Sequence, residues 1–265
     1  MPILINHQPA ESLSVSDRGF TYGDGVFRTL RASHGQPRLW RWQWQRLAHD
    51  CAALGLPLPD VDPLLADITR VCAGIDEATV RITVTRGQGA RGYSPASAPG
   101  STLIVQASPY LAAPDSCFRD GIVARLCDWR LALQPRLAGI KHLNRLENVL
   151  ARAEWTDPAI REGILRDSEG RVIEGTMSNL VICRGGALLT PRLDGAGVAG
   201  AVRACLMATL PLQETELRLD ELLAADEILC VNSLIGVWPL ARLGDWRSRS
   251  RTAAEQLAAV LAEAG

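Results

Sequence analysis

Strand-like segments in this chain neighbour one another, and helix-like segments stand singly between them. That arrangement excludes a strictly alternating βαβ fold and points to α+β. Val80, Ile82 and Val84 alternate as in a half-buried strand, and a second strand pattern covers residues 102–107. Further strands are predicted at 3–5, 122–127, 180–183 and 228–231, with a hairpin over 163–174 that turns on Ser168, Glu169 and Gly170. Within 42–54, Leu47, Cys51 and Leu54 recur at i, i+4 and i+7, a helix signal. Asp62 before Pro63 reads as an N-cap with proline at the first helical position. Other helices are expected at 142–155, from near Ala199, near Asp220 and over 252–263, while residues 1–35 read as short strands and turns. The turn-rich stretch 108–121 divides these patterns, giving an N-terminal α+β domain at 1–110, a linker at 111–120 and a C-terminal α+β domain at 121–265.

Composition narrows the class. The chain has 265 residues, 47% hydrophobic and 22% charged, the balance of an ordinary globular protein. A chain of this size hides roughly three quarters of its unfolded surface, so its core needs no disulfide or metal staple. The net charge of −1 argues against a nucleic-acid binder. Seven cysteines without a C-x-x-C pair point to a reducing compartment and to small apolar core fillers. The longest apolar run, Ile228 to Leu240, is broken by Asn232, Ser233, Gly236 and Pro239, and a bilayer span takes ~20 apolar residues. With no basic region before Ile3-Leu4-Ile5 to make a signal peptide, the expectation is a soluble cytoplasmic protein that binds neither membrane nor nucleic acid. Four scattered histidines give no metal site, and no G-x-S-x-G elbow of a serine hydrolase is present. The three alternating tryptophans 40, 42 and 44 read as core or interface packing.

Lysines are scarce, and Lys141 stands between apolar Ile140 and a predicted helix. Partial desolvation there lowers the pKa of an amine and makes it nucleophilic. Taken alone, an ordinary surface lysine is the default, because lysine is mostly exposed; the neighbouring His142 reads as structural. Further on, Glu174 ends a strand before the polar turn Thr176-Met177-Ser178-Asn179. Small residues then surround a helix start at Ala196-Gly197-Val198-Ala199-Gly200-Ala201-Val202, where backbone N–H groups can meet a phosphate. The glycines of Arg86-Gly87-Gln88-Gly89 link two strands and open no helix, so they form no dinucleotide fingerprint.

In their order, these stretches resemble the fold-type IV pyridoxal-phosphate enzymes, the group of branched-chain and D-amino-acid aminotransferases and, most similar here, the aminodeoxychorismate lyases. The likeness runs over Val15-Ser16-Asp17-Arg18, Gly23-Asp24-Gly25-Val26-Phe27, residues 86–94, residues 141–147 and residues 226–232. It implies two α+β domains with pyridoxal 5′-phosphate in the cleft between them, and a homodimer. Lys141 would carry the cofactor and shuttle a proton, and Glu174 would hold the pyridine nitrogen protonated. Arg46, the amides of Ala201 and Val202, Asn232 and the Ser233 hydroxyl would hold the cofactor, chiefly at its phosphate. Arg91, Tyr93 and Arg145 would meet the substrate, and Thr29 would assist proton transfer. Arg145 stands where the branched-chain enzymes tend to carry tyrosine, which favours the lyase: conversion of 4-amino-4-deoxychorismate to 4-aminobenzoate, a folate precursor, and pyruvate. A transaminase acting on branched-chain or D-amino acids and a cofactor-less binding protein on the same scaffold are the alternatives. Coupling to aminodeoxychorismate synthase is left open.

Overall fold

From Arg28 to Ser33 buried and half-buried side chains alternate one for one, so this segment can only lie as a strand with one face in a core. The computed structural model, which describes residues 2–95, 98 and 100–265, builds on it the first of two units, the chain up to Leu111 together with Ile140–Asn144. Its elements are β1 (Ile3–Ile5), β2 (Gln8–Pro9), α1 (Arg18–Tyr22), β3 (Gly25–Ser33), β4 (Gln36–Pro37), α2 (Trp40–Leu54), α3 (Val61–Val71), β5 (Glu77–Thr85) and β6 (Thr102–Pro109). The sheet runs β2-β1-β6-β5-β3-β4, every neighbouring pair antiparallel. Leu47 and Cys51 of α2 and Leu64, Ile68 and Val71 of α3 share one core with Leu30, Val80, Ile82 and Val105 of the sheet. Ile140, only 2% exposed, belongs to the same core and draws its short segment into this unit from far along the chain.

Two local outcomes differ from the sequence reading. Helix α3 is preceded by Asp60 rather than Asp62, which puts Pro63 at the third helical position. Its missing N–H costs nothing there, because the first four amides of a helix have no intrahelical acceptor, and Asp62 complements the helix dipole. Helix α1 lies where turns were expected: the Asp17 carboxylate caps it by accepting the Gly19 amide at 2.8 Å, and Gly23, at φ +65°, ends it. Five residues are too few to show a periodicity.

The second unit comprises Ala112–Gly139 and Arg145–Gly265. It contains α4 (Ser116–Arg119), β7 (Ile122–Leu131), α5 (Leu146–Arg152), β8 (Ile160–Asp167), β9 (Val172–Gly175), β10 (Asn179–Arg184), β11 (Ala187–Pro191), α6 (Ala201–Thr209), β12 (Leu212–Thr215), α7 (Leu219–Leu223), β13 (Glu227–Asn232), β14 (Gly236–Leu243), β15 (Trp246–Arg247) and α8 (Thr252–Ala264). The sheet order is β12-β11-β10-β13-β14-β7-β8-β9, with β15 on β14. The pairs β11/β12, β14/β7 and β7/β8 are parallel and the others antiparallel. Ile164, Leu180, Ile182, Ile228, Cys230 and Leu240 from the strands pack with Leu217 and Leu222. The buried Glu227 carboxylate accepts the amides of Ala253 and Ala254 at 2.9 and 3.1 Å, satisfying the first turn of α8.

All seven cysteines are free and six are buried, the packing role expected of them. Among the described residues no helix is long and apolar enough to cross a membrane.

Candidate active site

Lys141 is the only lysine in the chain, so any side-chain amine chemistry falls to it. The sequence reading treated it as one of a few and missed that stronger signal. Its backbone continues the edge of β3: Phe27 N–H donates to the Lys141 carbonyl at 3.0 Å, and Leu143 N–H to the Gly25 carbonyl at 3.0 Å. The Lys141 amide points the other way, to Asp50 Oδ2 at 3.0 Å. Its Nζ lies 4.5 Å from the centroid of the Phe27 ring, and the residue is half-buried.

Arg46 and Asp50 stand one turn apart on α2, with Arg46 Nη2 at 3.4 Å from Asp50 Oδ1. Arg28, on the helix-facing side of β3, donates to Asp50 Oδ2, and both side chains are buried. Burial lowers the pKa of Arg28 to about 10, with the Asp50 carboxylate pulling against that fall. The structure therefore brings Lys141 and Arg46 together through Asp50. Neither Asp50 nor Arg28 stood out in the sequence, although the Arg46/Asp50 spacing of four on a helix is an ion-pair signal.

On the opposite face of this sheet Thr29 is half-buried and pairs in register with Arg81. The Arg81 guanidinium lies 4.0 Å from the Phe27 ring centroid, the ring that Lys141 also meets. Burial lowers the pKa of Arg81, and no carboxylate pairs with it among the described residues. Arg81 was missed because it occupies the polar register of the strand pattern Val80, Ile82, Val84. Arg91 and Tyr93 are exposed. Their loop is held by Arg18, which donates to the carbonyls of Gly92 and Tyr93 at 2.8 and 3.0 Å, while the Tyr93 ring packs 5.4 Å from that of Tyr22.

The second unit assembles a different set. Glu174, buried on β9, accepts the Val198 amide at 2.8 Å through Oε2. Asn179 at the start of β10 accepts the Gly200 amide at 2.9 Å and donates to the Val198 carbonyl at 2.7 Å. Together these fix the entry of α6, whose first residues are Ala201 and Val202 and which has no side-chain cap. A Cβ on Gly200 would fall 2.5 Å from Asn179 Oδ1, so a glycine is needed for this close approach. Asn232 accepts the amides of Leu234 and Ile235 at 2.8 and 2.9 Å and donates to the Met177 carbonyl at 3.0 Å, shaping the turn that holds Ser233. The fully buried Glu162 accepts from Thr176 N, Thr176 Oγ1 and Ser178 Oγ at 3.0, 2.5 and 2.7 Å, which makes the 176–178 turn rigid. Arg145 is partly buried; burial lowers its pKa, opposed by the charges of Glu174 and Glu147. Glu162 and Asn179 were also missed, although Asn179 closes the polar run that begins at Thr176.

This donor set suits pyridoxal phosphate. Taken unit by unit, the groups are of the kinds that cofactor calls for: the first unit offers the chain's one lysine amine and an arginine, and the second a buried carboxylate and a helix N-terminus without a side-chain cap.

Comparison with known proteins agrees. The family described as amino-transferase class IV matches residues 25–243. An aminodeoxychorismate lyase of Vibrio harveyi is 33% identical over 242 residues, 89% of each chain. A putative branched-chain-amino-acid aminotransferase of Methanocaldococcus jannaschii is 29% identical, covering 86% of this chain and 81% of its own. The crystal structure of 4-amino-4-deoxychorismate lyase from Pseudomonas aeruginosa superposes with a TM-score of 0.90 at 40% identity, covering 96% of this chain and 97% of that one. With more than three quarters of its length matched, the chain belongs to the class IV aminotransferases, the fold-type IV pyridoxal-phosphate enzymes.

Proposed function

We propose that this protein is an aminodeoxychorismate lyase, which cleaves 4-amino-4-deoxychorismate to 4-aminobenzoate and pyruvate. The observation that carries the chemistry is the sole lysine, fixed at its amide by buried Asp50 and set with its amine against Phe27. The choice of substrate is supported by the 33%-identical relative and the 40%-identical structure, both lyases by name.

Lys141 Nζ would hold the cofactor aldehyde and, when free, would accept the proton from substrate C4. Bound pyridoxal phosphate supplies the electron sink for the charge that develops there. The ring C–O bond to the enolpyruvyl group would then break with the electron pair leaving on oxygen, the enolpyruvate would take up a proton to become pyruvate, and loss of the C4 proton and that oxygen leaves the ring aromatic. An amine that takes and returns a proton works best with a pKa near the ambient pH. Glu174 holds a proton on the pyridine nitrogen. Arg46, the Ala201 and Val202 amides, Asn232 and Ser233 bind the cofactor, and Thr29 assists proton transfer. Arg145, Arg91 and Tyr93 meet the substrate, and Arg81 joins them as a desolvated cation suited to a substrate carboxylate.

The reading includes a cytoplasmic homodimer whose product feeds folate synthesis; the free cysteines accord with a reducing compartment. A branched-chain or D-amino-acid aminotransferase using the same lysine is the alternative, favoured by the 29%-identical relative. The test is to supply aminodeoxychorismate, made by its synthase, to protein loaded with cofactor and to follow 4-aminobenzoate and pyruvate together. Equal yields establish the lyase. Absence of aminobenzoate, with conversion of the cofactor to its pyridoxamine form by an amino acid, establishes the aminotransferase.

A further inference from the structure

We infer that Asp50 is the positioning residue of the cofactor lysine. Through one buried carboxylate it locks the Lys141 peptide, the Arg46 guanidinium and β3 into a single unit. The inference rests on the reading of Lys141 as the lysine that holds the cofactor.

The argument starts from α2. Asp50 is fully buried, surrounded by Arg28, Arg46 and the ring of His49. Its two oxygens divide the work. Oδ2 takes Arg28 and the Lys141 amide; Oδ1 takes Arg46 and lies 3.2 Å from His49 Nδ1. Arg28 also donates to the Arg46 carbonyl at 3.2 Å, so the strand grips the helix at two points. With the Lys141 carbonyl bound by Phe27 N–H, both sides of the Lys141 residue are tied. A neutral acceptor would satisfy the amide equally well. A carboxylate is needed because two arginines must be held at once. Arg46, whose side chain is 18% exposed against 2% for Arg28, is the one of the two that reaches toward the surface. An arginine aligned in this way is ready for a phosphate, and the peptide of the reacting amine is fixed by the same group.

Removing Asp50 alone strands a buried arginine, which destabilises proteins strongly. The informative pair is therefore Arg28→Met and the double variant Arg28→Met/Asp50→Asn, which differ by one carboxylate and leave no fully buried arginine, Arg46 being 18% exposed. Both should fold, as judged by thermal unfolding, because replacing a buried ion pair by apolar volume is commonly tolerated. Cofactor affinity, titrated by absorbance on the apo-proteins, should be about tenfold weaker in the double variant, the loss expected for charge-assisted hydrogen bonds. The pH midpoint of the bound cofactor's visible band should also fall by about half a unit or more, since loss of a nearby carboxylate disfavours the cationic form. Equal affinities and equal midpoints in the two folded variants overturn the inference. If borohydride fixes the cofactor of the parent protein somewhere other than Lys141, the functional reading fails instead, and the two failures are distinct.

Discussion

The two units hold their candidate residues by different forces. In the first, charge does the holding: Asp50 gathers two arginines and a peptide, and Asp24 takes Arg18 at 3.0 Å and Arg86 at 2.8 Å. In the second, most of the fixing bonds run to backbone: Glu174 to the Val198 amide, Asn179 to Gly200 and Val198, and Asn232 to Met177, Leu234 and Ile235. The difference follows from topology. Lys141 comes from a distant part of the chain and pairs with β3 only briefly, through its carbonyl and the Leu143 amide, so its own amide points away from the strand and a side chain ties it. Glu174 and the start of α6 lie where strands end, and there unpaired backbone amides are at hand to fix a carboxylate.

The largest effect is expected at the amine itself. Lys141→Ala should lose product formation by about 10³-fold or more, with the fold retained by circular dichroism. Glu174→Gln comes next: if the carboxylate has the proposed role at the ring nitrogen, kcat should fall by about 10²-fold while cofactor affinity changes far less. Equal losses in both would dissolve the assignment. Glu162→Ala sharpens the contrast in stability. It leaves Thr176 and Ser178 hydroxyls without their buried acceptor and should cost about 3 kcal/mol in denaturant unfolding. Arg81→Leu should raise KM about tenfold at nearly constant thermal stability, since no ion pair is lost with it among the described residues. A stability loss with unchanged KM would make Arg81 a packing residue.

The smallest effect is that of pH. Burial alone would raise the Asp24 carboxyl, but hydrogen bonds and charge from Arg86 and Arg18 outweigh it and hold its pKa below 3.8. A depressed carboxylate contributes stability in full above its unfolded value and loses it as pH falls through the folded one. Asp24→Asn should therefore flatten the dependence of stability on pH below about pH 4, measured by urea unfolding, and change little at neutral pH.

Regular elements were legible wherever one face was buried. Val80, Ile82 and Val84, the hairpin turning at Gly170 and the final helix all carry their own periodicity. The short α1 and the start of α3 were not, because five residues show no period and an Asp stands on each side of Val61, at 60 and at 62, either of which can open a helix. Within the site, Lys141, Glu174 and Arg46 stood out through their neighbours and order. Asp50, Arg28, Arg81 and Glu162 did not, since each acts on residues distant in sequence: Arg28 and Asp50 are 22 positions apart, Asp50 and Lys141 91. A buried charge looks like any other charge until its partners are assembled around it.

The most direct measurement uses the single lysine. Protein loaded with pyridoxal phosphate is reduced with borohydride, weighed intact and mapped by peptides. One reduced-cofactor increment per chain, on the peptide that contains Lys141, is the expected result. Cofactor bound without any increment, or an increment confined to the α-amino group, would contradict the role of Lys141 and with it the proposed chemistry.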